Sequence, residues 1–391
     1  MSIQFGIDIL LKKDPSWKKD RIGLVTNHAA TTRDLTASRE ALIRSGFNIR
    51  RLFSPEHGLD VRGADGHEMM DGTDVLTDLP VTSLYSSKLA PAKEDLDNVD
   101  ILLYDIPDVG SRFYTYLWTM THVMESCAKH RKKLVILDRP NPVSGNFDLA
   151  EGPILEEAQA SFIGRWPVPI RHSCALGELA TYFNAARNIQ CDLEVIRCEG
   201  WNRSMMQPDW GIRFVPTSPA IQSFQGMLLY PGLCMLEATN ISEGRGTEDS
   251  FRVAGAPWIN GNAIAGILNE MGLDEVAVKP VSFTPNDIHS KYYQQPCGGV
   301  QFDVREPVFF QSVSYGLILI RIIKQLYPQH FSWKPYPTLV NPTGGQHLDK
   351  LLGIAGSEQL FDLPLPRFIA SITKLTQCSE WKTQMQSFLL Y

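Results

Sequence analysis

The sequence lacks the marks of several large functional classes. It has no basic excess: 37 Lys and Arg against 43 Asp and Glu leave a net charge of −6. Such a chain has no electrostatic footprint for a phosphate backbone, so nucleic-acid binding is set aside. No apolar run approaches the ~20 residues needed to cross a bilayer. The longest candidate, Ser314 to Ile323, is short and carries Arg321. The opening MSIQFGIDILL lacks the basic, apolar, small-residue order of a secretory leader and has Asp8 inside its apolar stretch. The expectation is a cytoplasmic chain, or one from which a leader was removed. Seven cysteines, at 127, 174, 191, 198, 234, 297 and 378, include no C-x-x-C and no zinc-ligand pair. They are read as buried free thiols, with a Cys191–Cys198 disulfide as the alternative. Phosphate-binding glycines are missing too. The first strand candidate is followed by Asn27-His28-Ala29-Ala30 rather than Gly-x-Gly-x-x-Gly, and no G-x-x-x-x-G-K-[ST] occurs. No nucleotide and no other cofactor is therefore expected.

What is present reads as an α/β protein. The chain has 391 residues, 43% of them hydrophobic and 20% charged, a globular balance that suggests about two or three domains. Strand-like runs occur at Arg21–Thr26, Asn48–Phe53, Val81–Tyr85, Ile101–Ile106 and Leu134–Asp138. Helical periodicity follows Asp34, spans Tyr114 to Lys129, and returns at Leu176 to Ala186. Strands alternating with helices predict a parallel sheet covered on both faces. Asp192–Cys198 is a further strand candidate, and 208–232, rich in Pro, Gly and Ser, reads as a long ordered connection that ends the first domain. The last third has a Gly-rich turn at Ser242–Thr247, strands near Ala277–Thr284 and Gly299–Val304, a helix from Ser312 to Tyr327 and closing helices. The division expected is 1–235 and 236–391.

Ligands of open parallel sheets bind beyond the carboxyl ends of the strands, so the strand ends carry the functional reading. They hold Asn27-His28, Pro55-Glu56-His57-Gly58, Pro107 to Arg112, and Arg139-Pro140-Asn141-Pro142. These polar groups are expected to converge on one rim. Glu56 follows an apolar strand and a proline, a place where partial desolvation raises a carboxyl toward neutrality and suits a general acid; an N-cap or salt-bridged Glu is the bland reading. Arg112 stands among Phe113, Tyr114 and Tyr116, and suits a sugar that carries a carboxylate; a structural Arg paired with Asp105 or Asp108 is its alternative. Arg245, between Gly244 and Gly246, is similar. Of Asp105 and Asp108, which follow an apolar strand, one is read first as ordering the Gly110 turn. His67-Glu68-Met69-Met70-Asp71 has the spacing of a zinc-protease motif, but that motif needs a helix, and Gly63, Gly66 and Gly72 mark a loop. A solvated acidic loop and no metal site are expected there.

Eight segments in order resemble one family. They are Ser54 to Gly58, Asp105 to Tyr116, Leu137 to Pro142, Glu151 to Pro153, Tyr230 to Gly232, Glu237 to Asn240, Gly244 to Thr247 and Gly255 to Trp258. With Gly6-Ile7-Asp8 and Val25 to His28, they resemble the NamZ exo-β-N-acetylmuramidases over about residues 6 to 335. The resemblance implies a Rossmann-like domain without nucleotide, a smaller α+β C-terminal domain, and an active-site cleft between them. It implies release of terminal N-acetylmuramic acid from the non-reducing end of peptidoglycan fragments, with a glycan or muropeptide as the partner. By motif Glu56 matches the family's catalytic Glu; the expectation is that it is the acid/base, that His57 tunes or positions it, and that Glu237 or Asp108 is the second carboxylate, orienting the acetamido group or water. Arg112, with Arg62 or Arg245, would grip the lactyl carboxylate. Asn27, His28, Tyr114, Tyr116, Asn141 and Asn240 complete the substrate-binding set. One departure is Glu237-Ala238-Thr239-Asn240, where the family usually has Glu-Gly-Thr-Asn. A non-catalytic muropeptide or carbohydrate binder, and a metal-dependent hydrolase, are the rival readings.

Overall fold

The structure, a computed structural model, describes residues 2–391. Its first part runs α1 (Gly6–Leu11), β1 (Ile22–Thr26), α2 (Ser38–Arg44), β2 (Ile49–Ser54), β3 (Gly72–Thr73), β4 (Pro80–Ser83), β5 (Ile101–Asp105), α3 (Tyr116–His130), β6 (Lys133–Leu137), α4 (Leu176–Ala186) and β7 (Asp192–Ile196). Seven strands form one sheet in the order β3-β4-β2-β1-β5-β6-β7. All neighbours are parallel except the short β3, which pairs antiparallel with β4. The apolar runs IGLVT and ILLYD form central strands β1 and β5, and every residue of both is buried. Parallel strands covered on both faces have this composition. The strand order reverses direction between β1 and β5.

The second part contains α5 (Phe224–Leu233), β8 (Val253–Ala256), α6 (Gly261–Glu270), β9 (Val276–Phe283), β10 (Cys297–Val304), α7 (Ser312–Leu326), α8 (His347–Leu352), α9 (Leu365–Thr376) and α10 (Ser379–Met385). Its sheet is small and antiparallel, in the order β8-β10-β9. The segment 208–232 is not wholly a connection. Its last part is α5, with Pro231 and Gly232 inside the helix. Gly232 is used for contact: a Cβ there would lie 1.9 Å from the Ser312 carbonyl oxygen, so α5 and α7 cross backbone to backbone. The helix after Asp34 begins only at Ser38, beyond a turn in which Leu35 is left-handed.

The two parts share one continuous apolar core. Glu151, wholly buried, accepts the Val313 and Ser314 N–H groups in the first turn of α7. The chain end then returns to the first part, where the Tyr391 hydroxyl donates to Asp138 and accepts from the Cys198 N–H. All seven cysteines are free thiols. Cys191 and Cys198 lie beyond opposite ends of β7, which an extended strand holds apart, so the alternative disulfide does not form.

Candidate active site

Strand β2 delivers the central residue. Pro55 follows it, and Glu56 then turns into the interior, 5% exposed. The Gly66 N–H donates to its Oε1 at 2.9 Å and the Thr115 hydroxyl donates to its Oε2 at 2.6 Å. Burial pushes the Glu56 carboxyl above its ordinary value; neighbouring Asp65 pushes the same way, while His57 and the two hydrogen bonds oppose. His57 is left-handed at φ 67°, an uncommon conformation for a residue with a Cβ. Its Nδ1 lies 2.9 Å from the Gly63 carbonyl oxygen, which can only accept, so Nδ1 carries the proton and Nε2 faces the cleft.

The other wall comes from the second part of the chain. Glu237, in the turn after α5, faces Arg245 Nη2 at 2.6 Å and His347 Nε2 at 3.2 Å. Burial alone would raise its carboxyl, but Arg245 and His347 outweigh that and hold it at about 2. His347 stacks on Tyr336, with ring centroids 4.7 Å apart. The Tyr336 hydroxyl donates to Asp65 Oδ2 at 2.7 Å. Asp65 Oδ1 lies 3.5 Å from Arg245 Nη2 and 4.0 Å from His57 Nε2. A ring of polar side chains thus joins the two parts across the cleft.

Glu56, His57, Asp65, Glu237, Arg245, Tyr336 and His347 line one narrow chamber of about 50 Å³, walled by Tyr85, Phe113, Tyr114 and Phe162. That is space for a water or two, not for a sugar ring. A larger vestibule of about 940 Å³ lies alongside and shares His57, Asp65, Arg245 and Tyr336 with the chamber. Arg62 lines the vestibule, exposed, with no ion pair among the described residues.

The strand ends do not form one rim. The segment 212–221 divides them, with Thr217 lining a second cavity and Ser218 the chamber. Asp108 lines that second cavity, outside β1, β5 and β6. Its Oδ2 accepts the Gly110 N–H and pairs with His172, the turn-ordering role expected of Asp105 or Asp108. Asn27 accepts the Ala29 N–H, and Asn141 ties Val143 to Cys174. His28 is exposed and borders neither cavity. Asn240 bridges the backbone of His330 and Ser332. The Tyr116 hydroxyl is spent on the Thr217 carbonyl, while its ring packs against Tyr114 and His57. None of Asn27, His28, Asp108, Tyr116, Asn141 and Asn240 lines the chamber.

Arg112 requires a correction. It is wholly buried, and its guanidinium donates to the carbonyls of Pro153, Val168 and Leu351 at 2.7 to 2.9 Å. Burial without a carboxylate partner pushes it down to about 9. It clamps the two parts of the chain together and cannot reach a ligand in the cleft. Nor do residues 67–71 form the helix a zinc-protease motif needs; Asp71 instead accepts the Ser83 N–H. Asp65, Tyr336 and His347 were not singled out from the sequence. Asp65 lay within the acidic loop, and its partner Tyr336 is 271 residues away.

Comparison with known proteins gives the family of the whole chain. A family model described as exo-beta-N-acetylmuramidase NamZ, N-terminal, matches residues 22–225, and its C-terminal counterpart matches 228–391. The chain belongs to the NamZ family. It is 41% identical over 336 residues to the peptidoglycan beta-N-acetylmuramidase NamZ of Bacillus subtilis (strain 168), which covers 85% of this chain and 80% of that protein. Two crystal structures of DUF1343 family proteins from Bacteroides fragilis NCTC 9343 share its architecture. They superpose with TM-scores of 0.87 and 0.76 at 27% identity, covering all of this chain and 99% of each of those. The mostly parallel sheet and second smaller sheet are therefore the NamZ fold.

Proposed function

We propose that the chamber is where this NamZ-family glycosidase releases terminal, non-reducing β-linked N-acetylmuramic acid from peptidoglycan fragments, with Glu56 as the acid. The observation that carries the assignment is the contrast between two buried carboxyls lining one chamber. Glu56 is pushed up by burial, and Glu237 is held at about 2 by Arg245 and the hydrogen-bonded His347. Environments that separate two carboxyls in this way assign them different roles. Glu56, whose burial favours the protonated form, protonates the leaving glycosidic oxygen. Glu237 stays ionised and anchors Arg245 and His347. His57, fixed through Nδ1, braces the loop behind the acid.

N-Acetylmuramic acid differs from N-acetylglucosamine by its lactyl carboxylate, so a cation must face the bound sugar. Arg245 is shared among Glu237, Asp65 and Glu243. Arg62 is the unpaired cation of the vestibule and takes the lactyl carboxylate, with Arg245 behind it. Tyr114 offers an aromatic wall to the sugar ring.

The test is turnover of a chromogenic β-N-acetylmuramide beside the matching β-N-acetylglucosaminide. Wild-type protein is expected to cleave the muramide alone, and Glu56→Gln to lose at least about 10²-fold in kcat while remaining folded. Muramide cleavage by Glu56→Gln at the wild-type rate would remove Glu56 from the chemistry. Binding of muropeptides by wild-type protein without turnover would instead support a carbohydrate-binding role.

A further inference from the structure

Glycoside cleavage by two carboxyls needs a second one, and both candidates from the sequence are otherwise engaged. Asp108 lines a different cavity and is tied to Gly110 and His172. Glu237 faces Arg245 with one oxygen and His347 with the other. Asp65 differs from both. It lines the chamber together with Glu56 and also the open vestibule, and its side chain is 28% exposed. The Tyr336 hydroxyl fixes Oδ2, whereas Oδ1 makes no hydrogen bond. The neighbours of Oδ1, Arg245 Nη2 at 3.5 Å and His57 Nε2 at 4.0 Å, flank it without closing it off. One oxygen is anchored and the other is presented to the cleft beside the acid.

We propose that Asp65 is the second carboxylate of the cleavage, with Oδ1 accepting the N–H of the 2-acetamido group on the departing muramic acid. This rests on the muramidase reading above. A substrate with its own acetamido carbonyl can supply the nucleophile, and Asp65 turns that carbonyl oxygen toward C1. In the first step, a lone pair of the carbonyl oxygen forms a bond to C1. The C1–O bond to the leaving sugar breaks with its electron pair on oxygen, and Glu56 gives its proton to that oxygen. The N–H proton remains in the hydrogen bond to Asp65, whose charge offsets the cationic ring formed. In the second step, water adds to C1, the C1–O bond to the acetamido oxygen breaks and returns its pair to the carbonyl, and the water proton goes to Glu56. Two displacements at C1 release the β anomer and restore both carboxyls.

The experiment compares wild type, Asp65→Asn and Asp65→Ala on a 4-methylumbelliferyl β-N-acetylmuramide. It also measures binding of N-acetylmuramic acid and of its thiazoline analogue, which mimics the cyclised intermediate. Asp65→Asn is expected to lower kcat by about 10²-fold with little change in KM. Thiazoline affinity should fall in step, while N-acetylmuramic acid binds as before. A role limited to holding Arg245 and Tyr336 would weaken both ligands alike, and that result overturns the proposal. So does an unchanged kcat in both variants. Product α anomer from wild type, read by proton NMR at early times, overturns it without any variant. Wild-type protein that cleaves no muramide defeats the muramidase reading itself; wild-type cleavage with either of the other results defeats only the role of Asp65.

Discussion

Glu56 and Glu237 face one chamber in opposite electrostatic surroundings, and the contrast makes a prediction about pH. Activity on a muramide is expected to fall as pH rises through the elevated Glu56 range, because the acid must carry its proton. Glu237, held at about 2, adds no limb in the neutral range. The stability consequence has the same sign. Folded Glu56 holds its proton more tightly than the unfolded chain does, so its contribution is present at low pH and is lost as pH rises through the folded value. Glu56→Gln should therefore stabilise the protein at neutral pH, by about 0.5–2 kcal/mol in chemical denaturation. Arg62→Ala should raise KM for the muramide about 10-fold, as expected for losing a charge-assisted contact, with kcat little changed. An unchanged KM would remove Arg62 from recognition. At this scale the sequence was partly legible. A carboxyl after an apolar strand and a proline singled out Glu56, and glycines flanking an arginine singled out Arg245; both line the chamber. Arg112 has the same polarity and strand-end position but points into the protein, a direction that depends on Pro153, Val168 and Leu351 closing around it.

Elements were easier to read where their residues report one environment. The central strands are continuous apolar runs because both faces are covered, and they were found almost residue for residue. Helix α5 was missed for a physical reason: its Pro231 and Gly232 are loop signals locally. The proline nevertheless lies inside the helix, and the glycine serves the crossing with α7. Helix α7 was found, but its start has a partner no local pattern shows. Glu151, 162 residues earlier, caps its first turn and is faced by Arg171. Glu151→Ala is expected to cost about 3–5 kcal/mol, because it leaves the buried Val313 and Ser314 N–H groups without their acceptor and the buried Arg171 without its nearby countercharge. Urea denaturation would measure it, and a loss below about 1 kcal/mol would show the cap to be unimportant.

Across the whole molecule, the two parts of the chain are interleaved rather than hinged at one point. Arg112 holds Leu351, Glu151 holds α7, and Tyr391 returns to Asp138. Gly66 belongs to this set. Its N–H holds Glu56, and its carbonyl oxygen accepts the Leu339 N–H from the opposite wall at 2.7 Å. Its left-handed backbone and its closeness to Thr338 leave no room for a side chain. Gly66→Ala should loosen the N–H that opposes the upward push on Glu56. The alkaline limb would then move to higher pH, a shift a pH–rate profile would detect. The chamber is smaller than a sugar ring, and Thr338 and Val340, on either side of Leu339, form part of its wall. One residue, Gly66, thus spans the chamber: its N–H serves the carboxyl proposed as the acid, and its carbonyl oxygen serves the opposite wall.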